Sequence, residues 1–224
     1  MILSVVIPCY NEEKTIEQIV KNLEQLDLGR IEKQLIIVDD GSGEQTISLL
    51  KKIEQRHLVV YLKENKGKGF ALRKGFKHVS GDIVIIQDAD LEYDVNDYTS
   101  LIKPIVEGRA DVVYGSRFLT NNKENEFSKG VKLLTKITNL LYGTKLTDEA
   151  TCYKVFRSDI LKDLDLRCER FEFCPEVTAK ISKKNIQIKE IPINYNPRTR
   201  DEGKKIKFKD GIEALWTLVK YRFL

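Results

Sequence analysis

The sequence predicts an α/β protein with a mostly parallel central sheet covered by helices on both faces. The first observation is an alternation, in which short apolar runs are followed by segments whose apolar residues recur at helical spacing. The second is the run Ile83 to Ile86, where four consecutive apolar residues indicate a strand buried on both faces. Because helices join successive strands of this kind, we expect the strands to lie parallel in one sheet.

The first half of the chain supplies most of the predicted sheet. Strands are predicted at 3–7, 35–38, 59–62, 83–86 and 111–114. The first is followed by a helix over about 12–26, with Asn11 as its N-cap. The second is followed by a helix that begins near Ser42 and Gln45, which have the spacing of a capping box. Further helices are predicted after Gly69 and from Tyr98.

The second half begins with a basic segment. From 127 to 146, apolar residues recur at helical intervals and four lysines are the only charged residues. Such a helix can lie on an anionic membrane surface, or it can pack on the sheet with its lysines in solvent, and the pattern leaves both open. Beyond it we predict an edge strand at 153–156, a helix that opens at about 171, a last strand within 186–195 and a terminal amphipathic helix.

Composition narrows the class of protein. The chain has 224 residues, of which 42% are hydrophobic and 32% charged, as in globular domains, and its net charge of +4 gives no reason to expect a nucleic-acid partner. Four cysteines without Cys-x-x-Cys spacing or nearby histidines indicate neither a zinc site nor a disulfide framework. We find no secretory signal and no apolar run of the roughly 18 residues that a spanning helix needs. We therefore expect a cytoplasmic protein whose membrane contact, if any, is peripheral.

An acidic stretch follows the central strand. Asp88, Asp90 and Glu92 occupy alternate positions directly after Ile86. In open α/β sheets, ligands bind at the carboxyl ends of the strands, and carboxylate oxygens at alternate positions can share a divalent cation. A cation held by few protein oxygens keeps positions open for a diphosphate. For an isolated Asp-x-Asp, a plain turn is the commoner interpretation.

Other polar residues are predicted at the same edge. Asp39 ends the second strand and could accept hydrogen bonds from a base or ribose, and Arg117 ends the fifth and could meet an anion or pair with an acid. Glu12 follows the first strand, where a dinucleotide-binding dehydrogenase would have glycines, so that class is disfavoured. Asp148 and Glu176 are the candidate general bases, although either could be an acid at a helix start, and the glycine-containing basic loop at 198–207 could close over a diphosphate.

Taken in order, five motifs resemble glycosyltransferase family 2, whose members have the Rossmann-like GT-A fold. The motifs are Pro8-x-Tyr10-Asn11-Glu12, Val38-Asp39-Asp40-Gly41-Ser42, Asp88-Ala89-Asp90, Gly115-Ser116-Arg117 and the basic loop. Within the family the sequence most resembles the dolichyl- or polyprenyl-phosphate mannosyltransferases. The resemblance implies one domain over 1–224, with a nucleotide-sugar-binding half at 1–117 and an acceptor-binding half at 118–224.

The resemblance also implies roles for individual residues. The donor nucleotide sugar would be bound by Pro8, Tyr10, Glu12, Val38, Asp39, Asp88, Ala89, Asp90, Arg117, Arg200 and Lys205. The metal, Mg²⁺ or Mn²⁺, would be bound by Asp88, Asp90 and Glu92, and the catalytic residues would be Asp90, Arg117 and Asp148. Family members often have Gln at the position of Glu92, so the metal preference stays open. Lys207 is the alternative to Lys205.

The expected reaction is an inverting transfer of a sugar, GDP-mannose being the first candidate donor and UDP-glucose the next, to a polyprenyl or dolichyl phosphate. Family members often continue into membrane spans, which these 224 residues lack, so a saccharide hydroxyl acceptor with Asp148 as base is the alternative. A catalytically silent nucleotide-sugar-binding module is the alternative from another class. A membrane-protein partner and self-association are both left open.

Overall fold

The computed structural model describes residues 1–120, 126–198 and 208–224. These ranges form seven strands and eight α-helices, in an order that alternates as predicted. The strands are β1 Ile2–Cys9, β2 Glu32–Asp39, β3 Leu58–Tyr61, β4 Ile83–Ile86, β5 Val112–Ser116, β6 Lys154–Arg157 and β7 Ile188–Pro192. The helices are α1 Ile16–Gln25, α2 Glu44–Ile53, α3 Lys68–Phe76, α4 Tyr98–Val106, α5 Glu126–Tyr142, α6 Ser158–Lys162, α7 Phe173–Lys183 and α8 Phe208–Phe223.

All seven strands belong to one sheet, in the order β3-β2-β1-β4-β6-β5-β7. The pairs β1–β2, β1–β4, β2–β3 and β5–β7 are parallel, and only β6 runs against its two neighbours among the strands described. The predicted α/β class with a mostly parallel sheet is confirmed. Because β6 is antiparallel to both β4 and β5, the other six described strands end at one edge of the sheet, and the acidic residues follow β4 at that edge.

The prediction that 153–156 forms an edge strand is wrong, because β6 lies inside the sheet between β4 and β5. Val155 and Phe156 are fully buried, and Lys154 is buried with them. The Lys154 ammonium is accommodated by a hydrogen bond of 2.6 Å to the Glu149 carbonyl and lies 3.7 Å from the centre of the Tyr114 ring. A charged residue in the strand is therefore compatible with an interior position.

The predicted starts of the first two helices are also corrected. Helix α1 begins at Ile16 after Thr15, and α2 begins at Glu44 after Gly43. Asn11 has a φ of 49°, and its side-chain oxygen accepts a hydrogen bond from the Gly43 amide at 2.8 Å, while its amide donates to the Ser42 hydroxyl at 2.9 Å. The two predicted capping residues thus join the β1–α1 and β2–α2 loops to each other.

Close packing fixes α3 on the first two strands. Gly75 of α3 is buried against Val6 of β1 and Val38 of β2, and a Cβ atom at Gly75 would lie 2.5 Å from a Val6 methyl carbon. Glycine at this position lets the helix approach the sheet closely. The loop before α3 is brought in this way to the carboxyl ends of β1 and β2.

Helices α5, α7 and α8 pack on one another, and the buried faces of α5 and α8 include polar residues. In α5 the threonines Thr135 and Thr138 are buried, whereas Leu140 is 84% exposed. In α8 the buried residues include Thr217, whereas Trp216 is 65% exposed. Exposed apolar residues of α8 recur at helical spacing, at Ile212, Trp216, Val219 and Phe223. Among the described residues, no helix has the length and hydrophobicity that crossing a bilayer requires.

Candidate active site

The carboxyl ends of β2, β1 and β4 converge at one edge of the sheet. Asp39, the last residue of β2, pairs in register with Cys9, the last residue of β1. Asp39 is buried, and both of its carboxylate oxygens lie 3.3 Å from the amide nitrogen of Ser42. Beyond β4, the amide of Gln87 donates to the Val6 carbonyl of β1 at 3.0 Å. This pairing keeps the acidic stretch beside the loop that follows β1.

Asp40 connects the β2 end to the loop before α3. Its carboxylate oxygens accept hydrogen bonds from the amides of Lys66 and Gly67, both at 2.8 Å. Burial raises the pKa of Asp40, and the two amide donors oppose that effect. The chain turns at Gly41, where φ is +73° and an added Cβ would lie 2.6 Å from the Glu64 carbonyl carbon. Glycine is required there by both the backbone conformation and the contact.

Gln87 is a site residue that the sequence interpretation missed. It is fully buried, and its side-chain oxygen accepts hydrogen bonds from the hydroxyls of Tyr98 at 2.8 Å and Tyr153 at 2.9 Å. Its side-chain amide donates to the Asp88 carbonyl at 2.9 Å. Gln87 therefore fixes the backbone at the start of the acidic stretch. A polar residue directly after four buried strand residues was the available signal.

Asp88 forms an ion pair with Lys68, the first residue of α3. The distance between the ammonium nitrogen and the carboxylate oxygen is 2.6 Å, and only 18% of the Lys68 side chain is exposed. Burial, the largest single effect, would lower the pKa of Lys68, but the charge and hydrogen bond of Asp88 together with Cys152 and Cys174 outweigh burial, and the pKa is raised. Lys68 therefore remains a cation beside the acidic stretch.

Asp90, Glu12 and Glu92 surround one guanidinium group, that of Arg198. Its Nη2 lies 2.8 Å from Asp90, its Nη1 lies 3.1 Å from Glu12, and its Nε lies 3.4 Å from Glu92. Burial raises the pKa of Asp90 to about 7, and the negative charges of Asp88 and Glu92 add to that increase while Arg198 opposes it. The structure thus brings together three of the predicted site carboxylates, and a cation already lies among them.

Arg117 and Asp148, two further predicted site residues, form an ion pair with each other. Arg117 donates two side-chain hydrogen bonds to the two oxygens of Asp148, at 2.6 and 2.7 Å, and Asp148 has no exposed surface. Glu190 in turn accepts a hydrogen bond of 2.9 Å from the Asp148 amide. The guanidinium carbon of Arg117 lies 5.1 Å from the centre of the Tyr195 ring. Arg117 is thereby oriented at the carboxyl end of β5.

The carboxylate oxygens at this site are suitable ligands for a hard divalent cation, although they are not arranged around a common point as a complete metal site. No group of three or more Asp, Glu, His or Cys side chains is arranged to hold a metal within the ranges that the structure describes. Glu92, predicted as the third ligand, accepts hydrogen bonds from the Tyr195 hydroxyl and from Arg198. Asp88 and Asp90 remain as candidate ligands. Mg²⁺ is commonly held by one or two carboxylates together with substrate phosphates, and these two residues fit that pattern.

The other predicted donor-binding residues lie on the same strands and loops. Pro8 is on β1 and Tyr10 in the loop after it, and both are half-buried, whereas Val38 of β2 and Ala89 are buried. Arg200 and Lys205, with Lys207, lie outside the described residues. The described part of the site therefore combines strand-end carboxylates with the buried Arg117, and Lys68 and Arg198 neutralise the carboxylates.

A sheet of this order with carboxylates at this edge belongs to a known class of fold. Solved structures of glucosyl-3-phosphoglycerate synthase from Mycobacterium tuberculosis match it with 19% sequence identity. The complex with Mn²⁺, UDP and phosphoglyceric acid has a TM-score of 0.76 and covers 98% of this chain and 78% of its own. The UDP complex has a TM-score of 0.77 and covers 99% and 80%. The expected GT-A fold is confirmed.

The chain belongs to glycosyltransferase family 2, whose model matches residues 4–165 under the description "Glycosyl transferase family 2". The UDP-N-acetylglucosamine–dolichyl-phosphate N-acetylglucosaminyltransferase of Methanococcus voltae is 32% identical over 86% of this chain and 84% of its own length. The low-salt glycan biosynthesis hexosyltransferase Agl6 of Haloferax volcanii is 31% identical over 93% of this chain.

The dolichol-phosphate mannosyltransferase of Pyrococcus furiosus is 27% identical over 96% of this chain. The chain spans 51% of the length of the Haloferax relative and 62% of the Pyrococcus relative. The family resemblance seen in the motifs is confirmed.

Proposed function

We propose that this chain transfers a hexose from a nucleotide sugar to a polyprenyl or dolichyl phosphate. The observation that carries the proposal is the convergence of Asp39, Asp88 and Asp90 at one sheet edge in a family 2 glycosyltransferase. Several relatives are named as transferring sugars to dolichyl phosphate, or to undecaprenyl phosphate as in Edwardsiella ictaluri. The Pyrococcus relative is named as a mannosyltransferase, which supports mannose as the first candidate sugar, and we take GDP-mannose as the first candidate donor, with UDP-glucose next.

In this proposal, residues at the ends of β1 and β2 bind the nucleoside. Asp39, whose carboxylate accepts a hydrogen bond from the Ser42 amide, would accept hydrogen bonds from the ribose or base. Pro8, Tyr10, Glu12 and Val38 would contribute the neighbouring part of this site, and Asp88 with Ala89, after β4, would follow. Arg117 would meet phosphate, and Arg200 with Lys205 would close on the diphosphate. The division into a donor half at 1–117 and an acceptor half at 118–224 stays a prediction.

The cofactor in this proposal is Mg²⁺ or Mn²⁺, held by Asp88 and Asp90. The ion would neutralise negative charge on the leaving diphosphate. Around it, the buried side-chain amide of Gln87 fixes the Asp88 backbone, and Lys68 forms an ion pair with the Asp88 carboxylate. These contacts set the position of the carboxylates before the donor binds, so little reorganisation is needed at the moment of reaction.

The state of Asp148 favours a phosphate acceptor over a hydroxyl acceptor. A hydroxyl must lose a proton as it attacks, whereas a lipid phosphate carries about −1.5 to −2 charge at neutral pH and needs no base. Asp148 is fully buried, and both of its oxygens are bound by Arg117. A carboxylate held in this way is poorly placed to take a proton from an incoming hydroxyl. In our proposal Asp148 positions Arg117, and the lipid phosphate attacks the anomeric carbon directly.

The proposal includes peripheral contact with the cytoplasmic face of a membrane, through α5 and α8. Leu133 and Leu140 of α5 and Trp216 and Phe223 of α8 expose between 58% and 84% of their surface. Exposed basic residues accompany them on the same helices, at Lys129, Lys136, Lys209, Lys220 and Arg222. Apolar and aromatic side chains flanked by lysine are typical of helices that lie in the interface of an anionic bilayer. Such contact would bring a membrane-embedded acceptor near the transferase.

The decisive experiment supplies the protein with Mg²⁺ or Mn²⁺, a panel of GDP- and UDP-sugars that includes UDP-N-acetylglucosamine, and a short polyprenyl phosphate. The organic extract is then examined by mass spectrometry. We expect a lipid phosphate that carries one hexose, formed at least roughly a hundredfold more slowly by Asp90→Asn. The matched control is Asp163→Asn, which changes an exposed aspartate paired with Lys184 and should leave the rate unchanged.

Other outcomes separate the alternatives. Donor hydrolysis that depends on metal, without a lipid product, would contradict the lipid acceptor and support transfer to a saccharide hydroxyl. Binding of the nucleotide sugar with neither transfer nor hydrolysis would show a silent binding module.

A further inference from the structure

Arg198 places one positive charge among three carboxylates of the donor site. The guanidinium contacts Asp90 at 2.8 Å, Glu12 at 3.1 Å and Glu92 at 3.4 Å, and only 17% of the side chain is exposed. The carboxylates come from two separate segments, the loop after β1 and the acidic stretch after β4. Without a cation between them, their negative charges would repel one another at close range. Arg198 therefore supplies the electrostatic balance of the donor-free site.

The backbone of Arg198 is anchored independently of its guanidinium. The Arg198 amide donates to the Glu92 carboxylate at 3.2 Å, and the Asn196 amide donates to the Glu92 carbonyl at 2.8 Å. Tyr195 forms a β-bridge with Tyr93, and its hydroxyl also donates to Glu92. The guanidinium can consequently leave Asp90 by side-chain rotation while the main chain keeps its place.

We infer that the guanidinium of Arg198 is a built-in substitute for the divalent cation, and that a metal must displace it from Asp90 in order to bind. The inference rests on the proposed function, in which Asp90 is a metal ligand. The Asp90 oxygen that Arg198 contacts would otherwise be available to a metal. A guanidinium and a divalent ion at the same carboxylate repel each other, so the two cannot occupy that position together at low cost. Arg198 thereby lowers the affinity of the donor-free protein for metal.

A consequence is that metal and donor bind with positive coupling. A diphosphate brings negative charge, which provides ligands for the metal and a new anionic partner for the displaced guanidinium. The bound donor therefore offsets the free-energy cost of displacing the Arg198 guanidinium. Without a donor, that cost lowers the affinity for the metal. Metal affinity should rise on addition of a nucleoside diphosphate, and part of that increase should disappear when the charge of residue 198 is removed.

The test measures Mn²⁺ binding to the full chain without any sugar transfer, by electron paramagnetic resonance of the free ion. Arg198→Gln removes the charge, and we expect its Mn²⁺ dissociation constant to be about tenfold lower than that of the wild type. Arg198→Lys keeps the charge and should stay within about threefold of the wild type. The matched control is Arg157→Gln, because Arg157 is also paired with two aspartates, Asp111 and Asp159, outside the site.

An Arg198→Gln protein that folds and binds Mn²⁺ no more tightly than the wild type would overturn the inference. A second measurement covers the case in which this variant does not fold. In the wild type, the Nε–H resonance of Arg198, assigned by its loss in Arg198→Lys, should shift on titration with Mg²⁺. A resonance that stays in place at saturating Mg²⁺ would also overturn the inference.

These outcomes are distinguishable from failure of the proposed function. If no form of the protein binds metal, with or without GDP or UDP, the metal requirement of the proposed transfer fails. If metal binds and supports sugar transfer but the substitution leaves its affinity unchanged, only the role of Arg198 fails.

Discussion

Arg117 and Asp148 form a two-point ion pair at the end of β5, with nitrogen–oxygen distances of 2.6 and 2.7 Å. The Arg117 amide donates a third hydrogen bond to the same carboxylate at 3.0 Å. Both side chains are buried, so neither charge has solvent as an alternative partner. A substitution at Asp148 therefore tests the integrity of this pair as well as any part that Asp148 takes in proton transfer.

The first prediction separates these two effects. Asp148→Asn leaves the buried Arg117 without its counter-charge and should lower the free energy of unfolding by about 3–5 kcal/mol. The double variant Arg117→Met with Asp148→Leu removes both charges, and it should be less destabilised than the sum of the two single changes. Urea denaturation of the wild type, Arg117→Met, Asp148→Leu and the double variant gives this coupling energy. Additive losses would show that the two residues do not stabilise each other.

A second prediction concerns the approach of α3 to the sheet. Gly75→Ala would place a methyl carbon 2.5 Å from a buried methyl group of Val6, so the helix or the strand must move. We expect a loss of about 1–3 kcal/mol in unfolding free energy. Gly130→Ala is the matched control, because Gly130 lies in helix α5 and, apart from the backbone of that helix and its chain neighbours, no described atom lies within 4 Å of an added Cβ. That change should stabilise by up to about 1 kcal/mol.

Thermal or urea unfolding of both alanine variants decides the point. Equal stability of the two variants would mean that α3 does not depend on glycine for its position.

The sequence allowed the parallel half of the sheet to be predicted, because its strands are continuous apolar runs and its helices have one apolar face. The same reasoning predicted that Asp39, Asp88 and Asp90 would follow strand ends. It was wrong about Asn11 and Ser42, since each has the side chain of a helix cap, but their partners lie in the neighbouring loop. A contact between loops distant in sequence leaves no local pattern.

Interior polar residues limited the prediction in the second half. Lys154 is buried within β6, and its contacts with Glu149 and Tyr114 come from other segments. Glu176, considered as a base, instead accepts hydrogen bonds from the amides of Arg167 and Cys168, at 2.8 and 2.6 Å. These pairings satisfy buried polar groups through tertiary contacts, which periodicity in the sequence cannot reveal.

A third prediction uses the buried carboxyl group of Glu149. Burial raises its pKa, although Lys154 and the Thr178 hydroxyl oppose that effect, and one of its oxygens has no hydrogen-bond partner among the residues that the structure describes. The folded state therefore binds a proton at Glu149 more tightly than the unfolded chain does, in which the pKa of glutamate is about 4.3. The resulting stabilisation is complete below that pH and is lost as the pH rises through the folded-state pKa.

Glu149→Gln removes this titration. The stability of the wild type relative to the variant should fall as the pH rises above about 4, by at most about 1.4 kcal/mol per pH unit. Urea denaturation at several pH values from 4 to 8 measures the difference. Glu17→Gln, at an exposed position of α1, is the control and should show a nearly constant difference. The same constant difference for Glu149→Gln would contradict the prediction.

The last prediction concerns the exposed apolar residues of α8. Trp216 and Phe223 are 65% and 82% exposed, so replacing both with serine should change the unfolding free energy by less than about 0.5 kcal/mol. In the proposed membrane contact, both side chains would enter the interface of the bilayer, where burial of each contributes about 1.5–3 kcal/mol. We therefore expect at least a tenfold loss of binding to vesicles that contain anionic lipid, measured by co-sedimentation.

The control replaces Leu58 and Tyr61 of β3, which are 40% and 39% exposed at the opposite edge of the sheet from β7, and vesicle binding should be unaffected. If the α8 variant binds vesicles as tightly as the wild type, α8 does not contact the bilayer. If the wild type forms a concentration-dependent oligomer and the α8 variant does not, the apolar face of α8 is instead an interface between copies of the chain.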